Sequence, residues 1–153
     1  MDTEDLSQKT KIHNVLGHSY STYFVLFLAG LFLDLFFPLR LFNRNLGYVG
    51  IALIIFASLL IYWAQHTSRN YKKGEVTKKI FYGGPYRFSR GPTHWGLFFL
   101  IFGFGLLVNG FFISIAAVIA MILGKAVFLP KEEDLLAKKY GEPYLEYKKS
   151  IKL

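Results

Sequence analysis

The stretch HWGLFFLIFGFGLLVNGFFISIAAVIAMILGKAVFL, residues 94–129, decides the fold. Its ionisable side chains are His94 near the start and Lys125 near the end, and its turn signal is Asn109-Gly110. The stretch therefore divides into two apolar runs, His94–Val108 and Phe111–Leu129. A helix needs roughly 20 apolar residues to cross a bilayer; the second run comes close and the first is short. With so tight a connection, the two are expected to form a helical hairpin with its tip at or within the far interface. Charged segments bracket them: GPYRFSRGPTHWG at 84–96 before, and KEED at 131–134 after. If both runs cross, the two brackets meet on one membrane face, where a cluster of ionisable groups beside hydrocarbon marks a functional site by default.

Two earlier runs, Tyr20–Phe37 and Leu46–Gln65, complete the expected architecture: one all-α integral membrane domain over 1–153, with four transmembrane helices. With 53% apolar and 18% aromatic residues, the chain is too hydrophobic for an ordinary small soluble fold. The first run does not read as a cleaved signal. Its leader, Met1–Ser19, is long and mixed in charge, and the run ends in Phe36-Phe37-Pro38 rather than in small residues. The lack of cysteine excludes disulfides, thiolate metal sites and cysteine nucleophiles. No metal site is expected.

Charge predicts orientation. One side would carry Lys9, Lys11, Arg69, Lys72, Lys73, Lys78, Lys79, Arg87, Arg90 and the six lysines from Lys131 to Lys152; the other has Arg40 and Arg44. Both termini and the central loop are thus expected in the cytoplasm. The net charge of +8 is explained by topology and anionic lipid headgroups, so no nucleic-acid partner is expected.

Residues 1–65 read as scaffold, with Asp34 expected at the interface or paired with Arg40. Residues 84–153 read as the chemically active region. Gly83-Gly84-Pro85 marks a turn, and Pro92 suits a first helical turn. Pro130 is expected to open a new cytoplasmic helix whose acidic first turn, Glu132, Glu133 and Asp134, complements the helix dipole. That helix should stop at Gly141, and a last short one, around Tyr144–Ile151, should pack back on the membrane face with Tyr144 and Tyr147 as interface anchors.

Several motifs then fall in a telling order: Gly84-Pro85-Tyr86-Arg87, Arg90-Gly91-Pro92-Thr93-His94-Trp95-Gly96, Gly103-Phe104-Gly105, Asn109, Glu132-Glu133, and Tyr140-Gly141-Glu142-Pro143-Tyr144-Leu145-Glu146-Tyr147. Residues 84–149 resemble the C-terminal region of the isoprenylcysteine carboxyl methyltransferase and phospholipid methyltransferase superfamily, small membrane enzymes that use S-adenosylmethionine. Two departures stand out. Gly91 replaces the histidine that the family places before the proline, and His94 replaces its tyrosine. Lys125 sits where relatives often carry arginine.

The resemblance implies methyl transfer from S-adenosylmethionine to a lipophilic or membrane-partitioned acceptor: an isoprenylcysteine carboxylate, a phospholipid amine or a small thiol. The cofactor-binding set it points to is Tyr86, Arg87, Arg90, His94, Gly103, Gly105, Glu132 and Glu133, with His94, Arg90 and Glu133 catalytic. Either glutamate could accept from ribose hydroxyls or the amino group, and either arginine could fork onto the carboxylate. Tyr86, Trp95 or Phe104 could face the sulfonium. His94 could serve as base for an amine or thiol, while a carboxylate acceptor needs none. Taken singly, these residues also fit plainer roles. Gly103 and Gly105 could be a helix-packing surface, the acids a helix cap, the arginines topological charges, His94 an interfacial side chain, and Lys125 a snorkelling one. Two other functions compete: an NADPH-dependent membrane reductase related to sterol reductases, and a catalytically degenerate membrane scaffold.

Overall fold

The computed structural model describes residues 3–42, 46–70 and 81–151, without the side chains of 3–9, Ile12 and Asn70. Arg44, Lys72, Lys73, Lys78, Lys79 and Lys152, and the side chain of Lys9, lie outside what is described. The described chain is helical, with an isolated bridge between Arg40 and Gly110. Helices α1 (Thr3–Phe36) and α2 (Gly47–Asn70) precede a 3₁₀ turn at Gly84–Arg87. Helix α3 (Pro92–Val108) and α4 (Phe111–Leu123) follow, and a π-helical segment (Gly124–Phe128) leads into α5 (Leu129–Tyr140) and then α6 (Glu142–Ser150).

Among the described residues, three segments are long and apolar enough to cross a membrane: His13–Phe36, Gly47–Arg69 and Phe111–Tyr140. Helix α3, also apolar, is shorter, at 17 residues. The side chains that cover these helices outwardly are large and apolar, including Phe24, Phe32, Leu35, Ile55, Leu59 and Ile122. A water-soluble chain would bury them; a membrane helix presents them to lipid.

Helix α2 packs along α3, and α1 packs along α4. Gly50 and Gly103 face each other across the first seam: a β-carbon on Gly50 would lie 2.5 Å from the Gly103 carbonyl oxygen. Small residues at such a crossing let two backbones approach, which supplies contact where lipid tails remove the usual hydrophobic drive. The second seam is built around buried Tyr23, Ile113, Ala117 and Ala120, and Phe27 of α1 also meets Phe104 of α3 edge-on, with ring centres 5.3 Å apart.

Asp34 does not serve as an ion-pair partner for Arg40. Its two carboxylate oxygens accept the backbone N–H groups of Phe112 and Ile113, at 3.0 and 2.9 Å. A residue of α1 thus caps the first turn of α4, where donors lack helical partners and the dipole favours negative charge. Asn109 fixes the same end. It closes α3 in the left-handed region (φ 55°), and its amide exchanges two hydrogen bonds with the backbone of Phe42.

From Thr3 the leader is helical and runs without a break into the first apolar run as α1. Two expectations are corrected. Pro130 stands in the first turn of α5 together with Glu132, as expected, but that helix is not a fresh start, because the chain stays helical from Phe111 to Tyr140 through the π segment. A proline ring lacks the donor and crowds the carbonyl four residues back; here the turn widens just before it, and Leu129 N–H bonds to Gly124 O instead. The acids at 132–134 therefore sit inside a continuous helix rather than at a free N-terminus. Finally, Tyr144 and Tyr147 are not interface anchors. They are 3% and 2% exposed and pack with Phe81 beneath Tyr86, and Tyr147 Oη donates to the Tyr86 carbonyl at 2.7 Å.

Candidate functional site

Where α5 leaves the apolar bundle, it meets the start of α3. Adjacent residues on a helix diverge by about 100°, so Glu132 and Glu133 face different neighbours. Glu133 is 5% exposed; Arg90 Nη1 lies 3.0 Å from one of its oxygens and Lys148 Nζ 2.9 Å from the other. It ties α5 to the 81–91 segment and to α6. Glu132 turns the other way, toward His94, whose Nε2 lies 3.4 Å from Glu132 Oε1.

Between them lies a cavity of about 280 Å³, at the lower edge of the ~300–1,000 Å³ typical of small-molecule sites. Its polar lining includes Tyr86, Arg90, His94 and Glu132, with Lys139 and Tyr140 from α5. Tyr20 of α1 and Gln65 and Ser68 of α2 close the other walls. Arg90 Nε, a buried atom of this lining, has no hydrogen-bond partner, and Glu132 Oε1 has His94 Nε2 beside it at 3.4 Å. Buried polar groups are nearly always satisfied, so the Arg90 Nε–H is a donor held ready for a ligand, next to a carboxylate that can accept. Burial pushes the Tyr86 hydroxyl up to about 12, Tyr20 adding to the effect while hydrogen bonding to Thr93 and Ser68 opposes it. Tyr144 and Tyr147 are also raised, chiefly by burial, then by Glu133 and Tyr86 respectively. All three phenols stay neutral at physiological pH.

The cavity brings together Tyr86, Arg90, His94 and Glu132 of the expected set. The remaining members lie elsewhere. Arg87 is exposed, its guanidinium carbon 5.0 Å from the Phe88 ring centre. Gly103 meets α2, and Gly105 lies against Ser114 of α4; both are buried in helix packing. Phe104 packs on Phe27, away from the polar groups. Trp95 lies instead in a second cavity, an apolar groove of about 780 Å³ between α2 and α3 that also holds Phe56, Leu59, Trp63 and Phe99. Pro92 belongs to the linings of both. Lys125 does not simply reach outward: its Nζ sits 4.4 Å from the centre of the Trp95 ring.

Gly91 and His94 are linked sterically. A β-carbon on Gly91 would lie 3.1 Å from His94 Cδ2 and 3.0 Å from Leu129 Cδ1. The imidazole therefore occupies the space beside residue 91, and both residues line the cavity. One neighbour escaped the sequence reading altogether: Tyr23, whose hydroxyl is 3.3 Å from His94 Nδ1. A tyrosine inside a Phe/Leu-rich span was the available signal, since a buried phenol needs a partner.

The sequence profile of the phospholipid methyltransferase family matches residues 42–143, two thirds of the chain. The chain belongs to this family. Family membership makes it a membrane methyltransferase, and with its apolar helices an integral membrane protein. The match covers α2 through α5 and leaves α1 outside, although Tyr20 and Tyr23 of α1 stand at the site. Neither the curated proteins nor the solved structures include one that matches the chain.

Proposed function

We propose that this phospholipid methyltransferase family member transfers a methyl group from S-adenosylmethionine to a lipophilic acceptor at the membrane surface. One observation carries the reading: Arg90, His94 and Glu132 converge on a cavity in which the buried Arg90 Nε has no hydrogen-bond partner and stands beside the Glu132 carboxylate. A zwitterionic, hydroxyl-rich cofactor needs that pairing of donor and acceptor. When bound, S-adenosylmethionine supplies an electrophilic methyl group on a sulfonium.

Arg90 would hold the cofactor carboxylate through its free Nε–H while Glu133, itself braced by Lys148, keeps the guanidinium in place. Glu132 would accept from the ribose hydroxyls or the amino group. Tyr86 offers an aromatic face and a neutral hydroxyl. The apolar groove beside Pro92 would take the hydrocarbon part of the acceptor, bringing its reactive end to the shared wall. Alignment of the two partners and exclusion of water then supply much of the rate. With an amine or thiol acceptor, the departing proton would pass to the Glu132–His94 pair; a carboxylate acceptor would need no base.

In this reading α3 is a fourth, short membrane pass, α3 and α4 form a hairpin, and both termini lie in the cytoplasm. The lysines of α5 and α6 support that orientation. Calorimetric titration of the detergent-purified protein with S-adenosylhomocysteine tests the proposal, with Glu132→Ala and NADPH as controls. Micromolar binding that disappears in the variant is the expected result. Binding of NADPH alone would make the protein a reductase, and binding of neither, in detergent or nanodiscs, would make it a scaffold.

A further inference from the structure

Behind the cavity, three side chains from three helices form a buried row that begins outside the family-matched segment. Tyr23 of α1 is 2% exposed and His94 of α3 is 3% exposed. The phenol hydroxyl lies 3.3 Å from Nδ1 of the imidazole, with Met121 Sδ of α4 at 3.8 Å as its other polar neighbour. On the far side of the ring, Nε2 is 3.4 Å from Glu132 Oε1.

The row has seats built for it. Gly124 opens the π segment, and a β-carbon there would strike the Tyr23 hydroxyl and lie 2.9 Å from His94 Nδ1. Gly91 clears the opposite edge of the ring. A π turn with glycine at its first residue is thus the feature that admits the phenol to the imidazole.

With Glu132 ionised and the imidazole neutral, the ring nitrogen facing Glu132 carries the proton, because a carboxylate only accepts. Nδ1 is then a bare acceptor, and it takes the single Tyr23 O–H proton in preference to the weakly accepting Met121 Sδ. With both ring nitrogens committed, His94 acts on Glu132 instead of standing free as a base. Its orientation decides where the carboxylate points.

We propose that Tyr23 is a positioning residue of the methyl-transfer site: by donating to His94 Nδ1 it holds the Nε2–H toward Glu132 and so aims the carboxylate into the cofactor cavity. This inference rests on the proposed cofactor site. It gives α1 a part in the chemistry that family matching alone assigns to α2–α5.

The test pairs a binding cycle with a readout of the ring. S-adenosylhomocysteine affinity is measured calorimetrically for wild type, Tyr23→Phe, Glu132→Gln and the double variant. Tyr23→Phe, which removes one oxygen atom, is expected to weaken binding about tenfold, the cost of one buried acceptor left bare. In the Glu132→Gln background the same change should cost less than about twofold, because the pathway ends at that carboxylate. Equal losses in both backgrounds would overturn the proposal, since a packing defect adds independently. In parallel, nitrogen NMR of histidine-labelled protein, with His94 assigned by its loss in His94→Gln, should show Nε2 protonated in wild type and mixed tautomers in Tyr23→Phe. A protonated Nδ1 in wild type, or an unchanged spectrum in Tyr23→Phe, would also overturn it. Should wild type bind no S-adenosylhomocysteine, the cofactor reading fails, and the NMR arm alone decides whether Tyr23 sets the ring.

Discussion

Replacing Asp34 with alanine should destabilise the protein more than any exposed charge change, because Asp34 does the work of a helix cap from another helix. Its carboxylate receives two backbone donors of α4, at 3.0 and 2.9 Å, and one of them belongs to Ile113, whose side chain is fully buried. An ordinary cap is worth about 0.5–2 kcal/mol, and a hydrogen bond to a charged group about 1.5–3 kcal/mol. Water reaches the half-buried aspartate and would re-solvate part of what is lost, so we expect a total of about 2–4 kcal/mol. For a chain of this length, each kcal/mol moves the melting temperature by roughly 2–4 °C, which gives a fall on the order of 5–15 °C. Asp34→Asn should cost nearly as much, because its amide nitrogen would face a backbone N–H. The assay is thermal unfolding in detergent followed by the fluorescence of Trp63 and Trp95. A wild-type melting temperature in Asp34→Ala would refute the cap, and so would an equal loss in Arg40→Ala, which would point to an ion pair between them.

Glu133→Ala leaves Arg90 and Lys148 facing one another across a buried site, so we expect a loss of about 3–5 kcal/mol and faster proteolysis of α6; Lys148→Ala, at a third-exposed position, should do much less. The Tyr86 hydroxyl titrates at about 12 in the fold, above its ordinary value of 10.0. Its contribution to stability is therefore full below pH 10 and is lost as pH rises toward about 12; ultraviolet titration of tyrosinate alongside helicity should show the two changing together over that window. Gly50→Val should prevent α2 from seating on α3, since even one added carbon meets the Gly103 carbonyl at 2.5 Å; loss of monodisperse protein in size-exclusion chromatography is the expected outcome.

The parts of the fold that were legible in sequence are those set by composition. Phe- and Leu-rich runs gave the helices, and Asn109-Gly110 gave the connection, because a bilayer and a tight turn impose local demands. The missed features all depend on a distant partner. Nothing near Asp34 in sequence indicates that its acceptors serve Phe112 and Ile113. Tyr144 and Tyr147 have the spacing of interface anchors, and only the presence of Phe81 beside them makes them core. Pro130 signals a helix start wherever the preceding turn is regular; here the π segment removes the conflict that would have ended the helix.

The site follows the same division, and this explains the two departures from the family pattern. Read along the chain, Gly91 in place of a histidine looks like a lost functional group. In the fold it is a vacated volume, and the His94 ring fills that volume from one helical turn away, with Gly124 clearing the other side for Tyr23. A histidine at residue 91 and the ring of His94 would compete for one space beside Leu129. The glycine and the displaced histidine are therefore one change rather than two. Their partner is a tyrosine on α1, the helix that family resemblance does not cover, so a sequence match could identify the chemistry without finding the residue that aims it.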